Sequence, residues 1–390
     1  MRKRLLLLIA ILASFTLVAA ACGDSGSSSD AGGTTTAAPN TTAASTTEAP
    51  ATTAAPATTA APDSNASFNL GLTFDIGGKG DQSFNDSAAA GADKAEADFG
   101  ITQTDVEPNA DGSDRAQILQ LQAEQSGLVL AVGFLFADDV ANVAADNPDV
   151  PFAVIDDAML NFDNDPPTPR GDNIAGLTFA EEQGSFLVGV AAALNTKSNT
   201  VGFLGGVSGF GLIEKFQAGY EAGVHAVDPS IEVVSQYITE FPDFDGFVSP
   251  DRGKEIAAAM FESGADIVYA AAGSSGGGMF QAAKEYRDAN GDTVWGIGVD
   301  SDQYNTVDPS VQDTVLTSML KRVDVAVYQA TQAVLDGTFT SGNTVYDLSV
   351  DGVGYSTSGD FLTQDQIDQI EQFKAQIVDG TIVVPTVPEG

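Results

Sequence analysis

The sequence predicts an α/β fold of two lobes, each a parallel sheet with helices on both faces. Three observations carry this: short apolar runs alternate with helical stretches from residue 68 onward, the pattern restarts near residue 181, and the two halves are similar in size. Strands of a parallel sheet are buried on both faces, so they read as continuous apolar runs joined by helical crossovers.

In the first half, FNLGLTF (68–74) reads as a strand ending at Asp75, and SAAAGADKAEADFG (87–100) has helical composition. ITQTDV (101–106) is a second strand and DRAQILQLQAEQ (114–125) a second helix. GLVLAVGFLF (127–136) is a buried strand, followed by DDVANVAADN; PFAVID (151–156) and IAGLTF (174–179) are further strands. The second half opens with the helix EEQGSFLVGVAAALN (181–195) and the strand TVGFLGG (200–206). IEKFQAGYEAGVHAV, RGKEIAAAMFES and MFQAAKEYRDA are helices alternating with the strands IEVVSQYI, ADIVYAAAG and VWGIGVD. TVLTSML (314–320) and KRVDVAVYQATQAVLD (321–336) add a strand and a helix, and 343–356 looks extended. Ligands of open parallel sheets bind beyond the carboxyl ends of the strands. The strand ends Asp75, Asp156, Gly273 and Asp300 would converge there if the halves face one another.

Two segments precede this region. Arg2, Lys3 and Arg4 lead into the apolar run Leu5–Val18, followed by Ala19, Ala20, Ala21 and the chain's single cysteine, Cys22. This is an export signal, too short for an ordinary spanning helix. Its ending resembles a lipoprotein signal, in which the cysteine becomes the lipidated N-terminus, although Ala19 stands where Leu is commonest. The expectation is a protein anchored to the extracytoplasmic face of the cell membrane rather than spanning it. In residues 23–67, 35 of 45 residues are Ser, Thr, Ala or Pro, so this stretch cannot bury enough surface to order itself and reads as a disordered tether.

With 390 residues the chain is long enough for two or three domains. The formal net charge of −38 excludes a nucleic-acid partner, because phosphates need a basic footprint. One cysteine rules out an internal disulfide framework, and one cysteine with one histidine rules out a zinc site of the usual kind. No metal or cofactor is expected.

TFDIGGKGDQSFNDSA (73–88) is the most informative segment: a strand ends in Asp75, a glycine loop follows, and Ser83-Phe84-Asn85 lead into a helix. It lacks the spacing of a phosphate loop, and its glycines and Phe84 fit a tight turn and a hydrophobic staple as well as a ligand site. Together with VGFLFADDV (132–140), FAVID (152–156), GFLGG (202–206), KFQAGYEAGVHAVDP (215–229), GADIVYAAAGSSGGGMFQAAKE (264–285), GIGVDSDQ (296–303) and TSMLKRVDVAVY (317–328), it resembles the basic-membrane-protein family. These are substrate-binding lipoproteins of ABC transporters, among them purine-nucleoside receptors.

The resemblance implies a type I periplasmic-binding-protein fold, with two Rossmann-like lobes, a hinge crossed three times and ligand held in the cleft between them. It implies lobe 1 from 68–178 plus 313–340, and lobe 2 from 179–312 plus 341–390. It implies a purine base sandwiched between Phe84 and Phe241, with Phe244 or Phe247 as substitutes because the chain has extra residues at PDFDGFVSP. Asp75, Asn85, Asp156 and Gly273 match further ligand positions, and Asp300 and Lys321 match residues that hold ribose hydroxyls, with Lys321 expected to balance Asp300. The implied partners are a small-molecule ligand and ABC permease subunits. Three functions follow: a non-enzymatic nucleoside receptor; the same fold holding a sugar or other small polar ligand, as receptor or sensor; and an extracellular hydrolase. The last would need His225 in a triad, and no Gly-x-Ser-x-Gly elbow is present.

Overall fold

A computed structural model of the chain describes residues 65–388. The export segment, Cys22 and residues 23–64 of the tether lie outside the described residues. The last tether residues are tied down: the Asn65 carbonyl accepts from the Phe68 N–H at 2.7 Å, and its side chain donates to the Phe99 carbonyl at 3.3 Å.

The first half runs β1 (Asn69–Thr73), α1 (Phe84–Phe99), β2 (Thr102–Val106), α2 (Arg115–Ala123), β3 (Leu128–Ala131), α3 (Ala137–Asp146) and β4 (Phe152–Ile155). A short antiparallel ladder, β5 (Leu160–Asn161) with β6 (Thr168–Pro169), precedes β7 (Ile174–Phe179). The second half runs α4 (Glu181–Asn195), β8 (Thr200–Ser208), α5 (Leu212–Val227), β9 (Glu232–Glu240), α6 (Pro250–Glu262), β10 (Ile267–Ala271), α7 (Gly276–Asn290), β11 (Trp295–Asp300) and β12 (Val315–Lys321). The chain closes with α8 (Val323–Leu335), β13 (Gly342–Tyr346), β14 (Val353–Tyr355) and α9 (Gln364–Val378).

Two six-stranded sheets result, ordered β13-β7-β4-β3-β1-β2 and β14-β12-β11-β10-β8-β9. All neighbours within them are parallel except β12 and β14. Strand side chains alternate between cores, as parallel sheets buried on both faces require. Leu128 and Leu130 join the core under α1, whereas Val129 and Ala131 join the one under α2 and α3.

The sheets correct the expected lobe boundaries. β12 lies in the second sheet, not the first lobe, and β13 lies in the first sheet, not the second lobe. Only α8 and β13 return to lobe 1: α8 packs on α1, where Gly91 meets the Asp324 backbone. β14 and α9 rejoin lobe 2, with Phe373 against Phe186 at 5.7 Å. The chain therefore crosses between lobes after β7, after β12 and after β13. The two sheets repeat one arrangement, so β4 corresponds to β11 and β7 to β12. Asp156 and Asp300 follow this correspondence, and both adopt the left-handed backbone conformation, at φ 68° and 63°. Among the described residues no helix is long and apolar enough to cross a membrane.

Candidate functional site

The carboxyl ends of both sheets meet at one cleft, the place where ligands of open parallel sheets bind. Lobe 1 contributes Asp75, Asp81, Phe84, Asn85, Phe134 and Asp156, among others. Lobe 2 contributes Phe216, Phe247, Gly273, Ser274, Asp300 and Lys321. Seven of the eight sequence-predicted ligand positions are thus brought together, and Phe241 is not.

Phe241 is 56% exposed and packs edge-on against Phe244 at 5.9 Å. The extra residues form a one-turn 3-10 helix, Phe244–Phe247, started by the Asp243 side chain accepting from the Asp245 N–H at 3.0 Å. That turn carries Phe247 inward, where its ring lies over Gly206, a position no Cβ could share. The cavity therefore has Phe84 from one lobe and Phe247 from the other.

Asp75 sits at the end of β1 against Gly133, whose φ of 111° and missing Cβ let the carboxylate approach. Its Oδ1 accepts from the Ile76 N–H at 2.7 Å. Burial pushes its pKa up to about 7, against the opposing pull of that backbone bond and of Arg115. Asn85 is buried and engaged with the protein: its Oδ1 accepts from the Asp75 N–H at 3.1 Å and its Nδ2 donates to Asp81 at 3.2 Å. Asn85 therefore shapes the 75–81 loop while lining the cleft. Asp81 accepts from the N–H groups of Ser83, Asn85 and Asp86 at 3.0, 2.8 and 3.1 Å, so it caps the start of α1.

Lys321 is 2% exposed, and its partner is not Asp300. Its Nζ lies 2.7 Å from each carboxylate oxygen of Asp156, donates to Oδ2, and leaves Oδ1 buried without a hydrogen bond. Glu181 is 3.3 Å away and itself reached by Lys215 at 3.2 Å. The rings of Phe84 and Phe179 lie 5.1 Å from Nζ, and that of Phe216 5.6 Å. Burial alone would lower the Lys321 pKa, but Asp156, Glu181 and Asp300 together outweigh it and raise it, so the side chain stays charged. Asp156 is itself pushed up by burial, with Lys321 opposing. Glu181 is a site residue beyond those the sequence predicts; its signal is an acidic residue at the start of an apolar helix, directly after a strand that leaves the first lobe.

Asp300 is 7% exposed, and its Oδ2 accepts from the Ser83 hydroxyl of the opposite lobe at 2.5 Å. Burial raises its pKa to about 7, with Lys321 and Ser83 opposing. Gly273, two residues beyond β10, has φ 55° and faces Phe247. The cleft thus offers two aromatic faces and, at Asp75 and Asp300, carboxylates with capacity to spare. Its one buried cation is committed to Asp156 and Glu181. Such a site suits a neutral, flat ligand rich in N–H and O–H donors and repels anions.

Residues 69–387 match the family model of the ABC transporter substrate-binding protein PnrA-like. The chain is 35% identical over 331 residues to the CD4+ T-cell-stimulating antigen of Listeria monocytogenes, covering 80% of this chain and 87% of that protein. It is 34% identical to the ABC transporter nucleoside-binding protein BmpA of Lactococcus lactis, covering 80% and 87%. Among solved structures, an ABC transporter solute-binding protein of Aeropyrum pernix superposes with a TM-score of 0.68 at 28% identity, over 82% of this chain and 94% of that one.

Proposed function

Since the chain belongs to the PnrA-like family of ABC transporter substrate-binding proteins, we propose that it captures a purine nucleoside outside the cytoplasm and delivers it to an ABC permease. One observation carries the reading: Phe84 and Phe247 reach one cavity from opposite lobes, beside Asp75, Asp156 and Asp300. The two rings suit the faces of a base, and stacking contributes about 1–3 kcal/mol per base. Asp75, beside Phe84, accepts from the base edge; Asp300, with Lys321 nearby, takes the ribose hydroxyls; and Asp156, held by Lys321, keeps capacity at Oδ1 for one further donor. Charge-assisted hydrogen bonds of this kind contribute about 1.5–3 kcal/mol each. The nucleoside-binding name of the Lactococcus lactis relative supports the same ligand class. Lipidation at Cys22 would hold the receptor at the membrane, and Cys22→Ser would release it into the soluble fraction.

Calorimetry with inosine, hypoxanthine and ribose tests the ligand. Inosine is expected to bind most tightly, and a saturating ligand at 100 times its dissociation constant stabilises the fold by about 2.7 kcal/mol. Binding of ribose without a response to inosine or hypoxanthine would replace this reading with a sugar receptor.

A further inference from the structure

The segment Gln82-Ser83 belongs to lobe 1, yet lobe 2 grips it along 299–306. Ser83 Oγ donates to Asp300 Oδ2 at 2.5 Å and approaches the Val299 carbonyl at 3.4 Å. In return Ser301 Oγ donates to the Ser83 carbonyl at 2.9 Å, and Gln303 Nε2 and Thr306 Oγ1 donate to the Gln82 carbonyl at 3.0 and 3.3 Å. Gln82 holds a left-handed conformation at φ 57°, which turns its carbonyl toward these donors. Gln303 is itself fixed, its Oε1 accepting from the Val299 N–H at 3.0 Å and its N–H donating to Ser318 Oγ at 3.0 Å. Ser83 is fully buried and makes no side-chain cap for α1, a task Asp81 performs. The hydroxyl therefore has no local duty, and its partners lie across the cleft.

We infer that Ser83 is a positioning residue that couples ligand recognition to lobe closure, clasping Asp300 from the opposite lobe. The residue after it is Phe84 and the next is Asn85, so the clasp sets one face of the cavity in register with the other. Closure moves Asp300 out of water. Ser83 satisfies one carboxylate oxygen and leaves the other for a ligand. A donor-rich ligand that reaches that second oxygen adds a bond available only while the clasp holds the lobes together, and so favours the closed state. The charged and titratable groups acting on Asp300 are Lys321 on β12, Asp156 after β4, Asp81 before α1 and the Tyr269 hydroxyl on β10. The Ser83 bond favours its ionised form, the form that accepts from ligand hydroxyls.

This rests on the nucleoside reading for its ligand, but the clasp can be tested apart from it. In the full chain, Ser83→Ala is expected to weaken inosine by about 10- to 100-fold, mainly through faster release, with binding setting in at a higher pH. Thr306→Val removes one clasp donor without touching Asp300, so it is expected to speed release more modestly and leave the pH midpoint in place. Wild type binding inosine, with Ser83→Ala matching it in affinity and pH midpoint, would overturn the clasp. If wild type takes up no inosine, the nucleoside reading fails, and amide exchange across 299–306 decides the clasp. Faster exchange there in Ser83→Ala, with α1 exchange unchanged, upholds it; equal exchange overturns it.

Discussion

Phe241, Phe244 and Phe247 fall within seven residues, and only Phe247 lines the cleft. Nothing in their chemistry distinguishes them; the choice is made by a 3-10 turn and by the space over Gly206, both products of the folded backbone. Phe84→Ala and Phe247→Ala are each expected to weaken nucleoside binding by about 1–3 kcal/mol in calorimetry, with Phe241→Ala near neutral. Lys321 was legible as a site residue in a chain with 16 basic residues, but its partner was not. The ion pair with Asp156 spans the lobes, and sequence does not say which strand-end carboxylate a lysine will reach. Because the pair is buried, Lys321→Met leaves Asp156 without its cation and Glu181 with Lys215 alone. A loss of about 3–5 kcal/mol in urea unfolding is expected, larger than the loss for Asp156→Asn.

Element boundaries show where local signals were sufficient. The helix 181–195 was read to the residue, because an acidic first turn precedes an unbroken apolar stretch. α1 starts at Phe84, three residues before its apolar composition suggests, because the Asp81 carboxylate holds its first N–H groups from outside the helix. Asp81→Ala is expected to lower stability by about 1–2 kcal/mol and to loosen Phe84 and Asn85, so the melting temperature and nucleoside affinity should fall together. α9 has a weak sequence signal because its stripe, Ile367, Ile370 and Phe373, is thin among Gln and Asp, although Thr363 and Gln366 form a capping box. The segment 343–356, extended by its composition, is two strands in different sheets. Strand character is a local property; sheet membership depends on where the preceding helix docks, and α8 docks on α1.

At the scale of the molecule, the restart near residue 181 was enough to reveal two lobes, because each half must bury its own sheet. The pKa values of Asp75 and Asp300, both raised to about 7, have a consequence for the whole fold. Between the ordinary carboxylate range and about pH 7 the folded state holds more protons at these sites than the unfolded chain does. The destabilisation they cause is therefore complete above about pH 7 and relieved as the pH falls toward 4. Ligand-free protein should melt several degrees higher at about pH 5.5 than at about pH 8, and Asp300→Asn should flatten part of that slope beyond the general easing of negative charge. The repeated sheet arrangement carries one more implication. Asp156 and Asp300 occupy equivalent ends, and so do Phe179 and Lys321, the last residues of β7 and β12 in matching register. At the second pair the repeat is broken, with a ring on one side and a cation on the other. That cation neutralises Asp156 and spares Asp300, so a cleft with nearly twofold architecture has a single polarity. A guest turned end for end would meet a lysine-paired carboxylate in place of one held by a serine hydroxyl, so the two directions of entry are not equivalent.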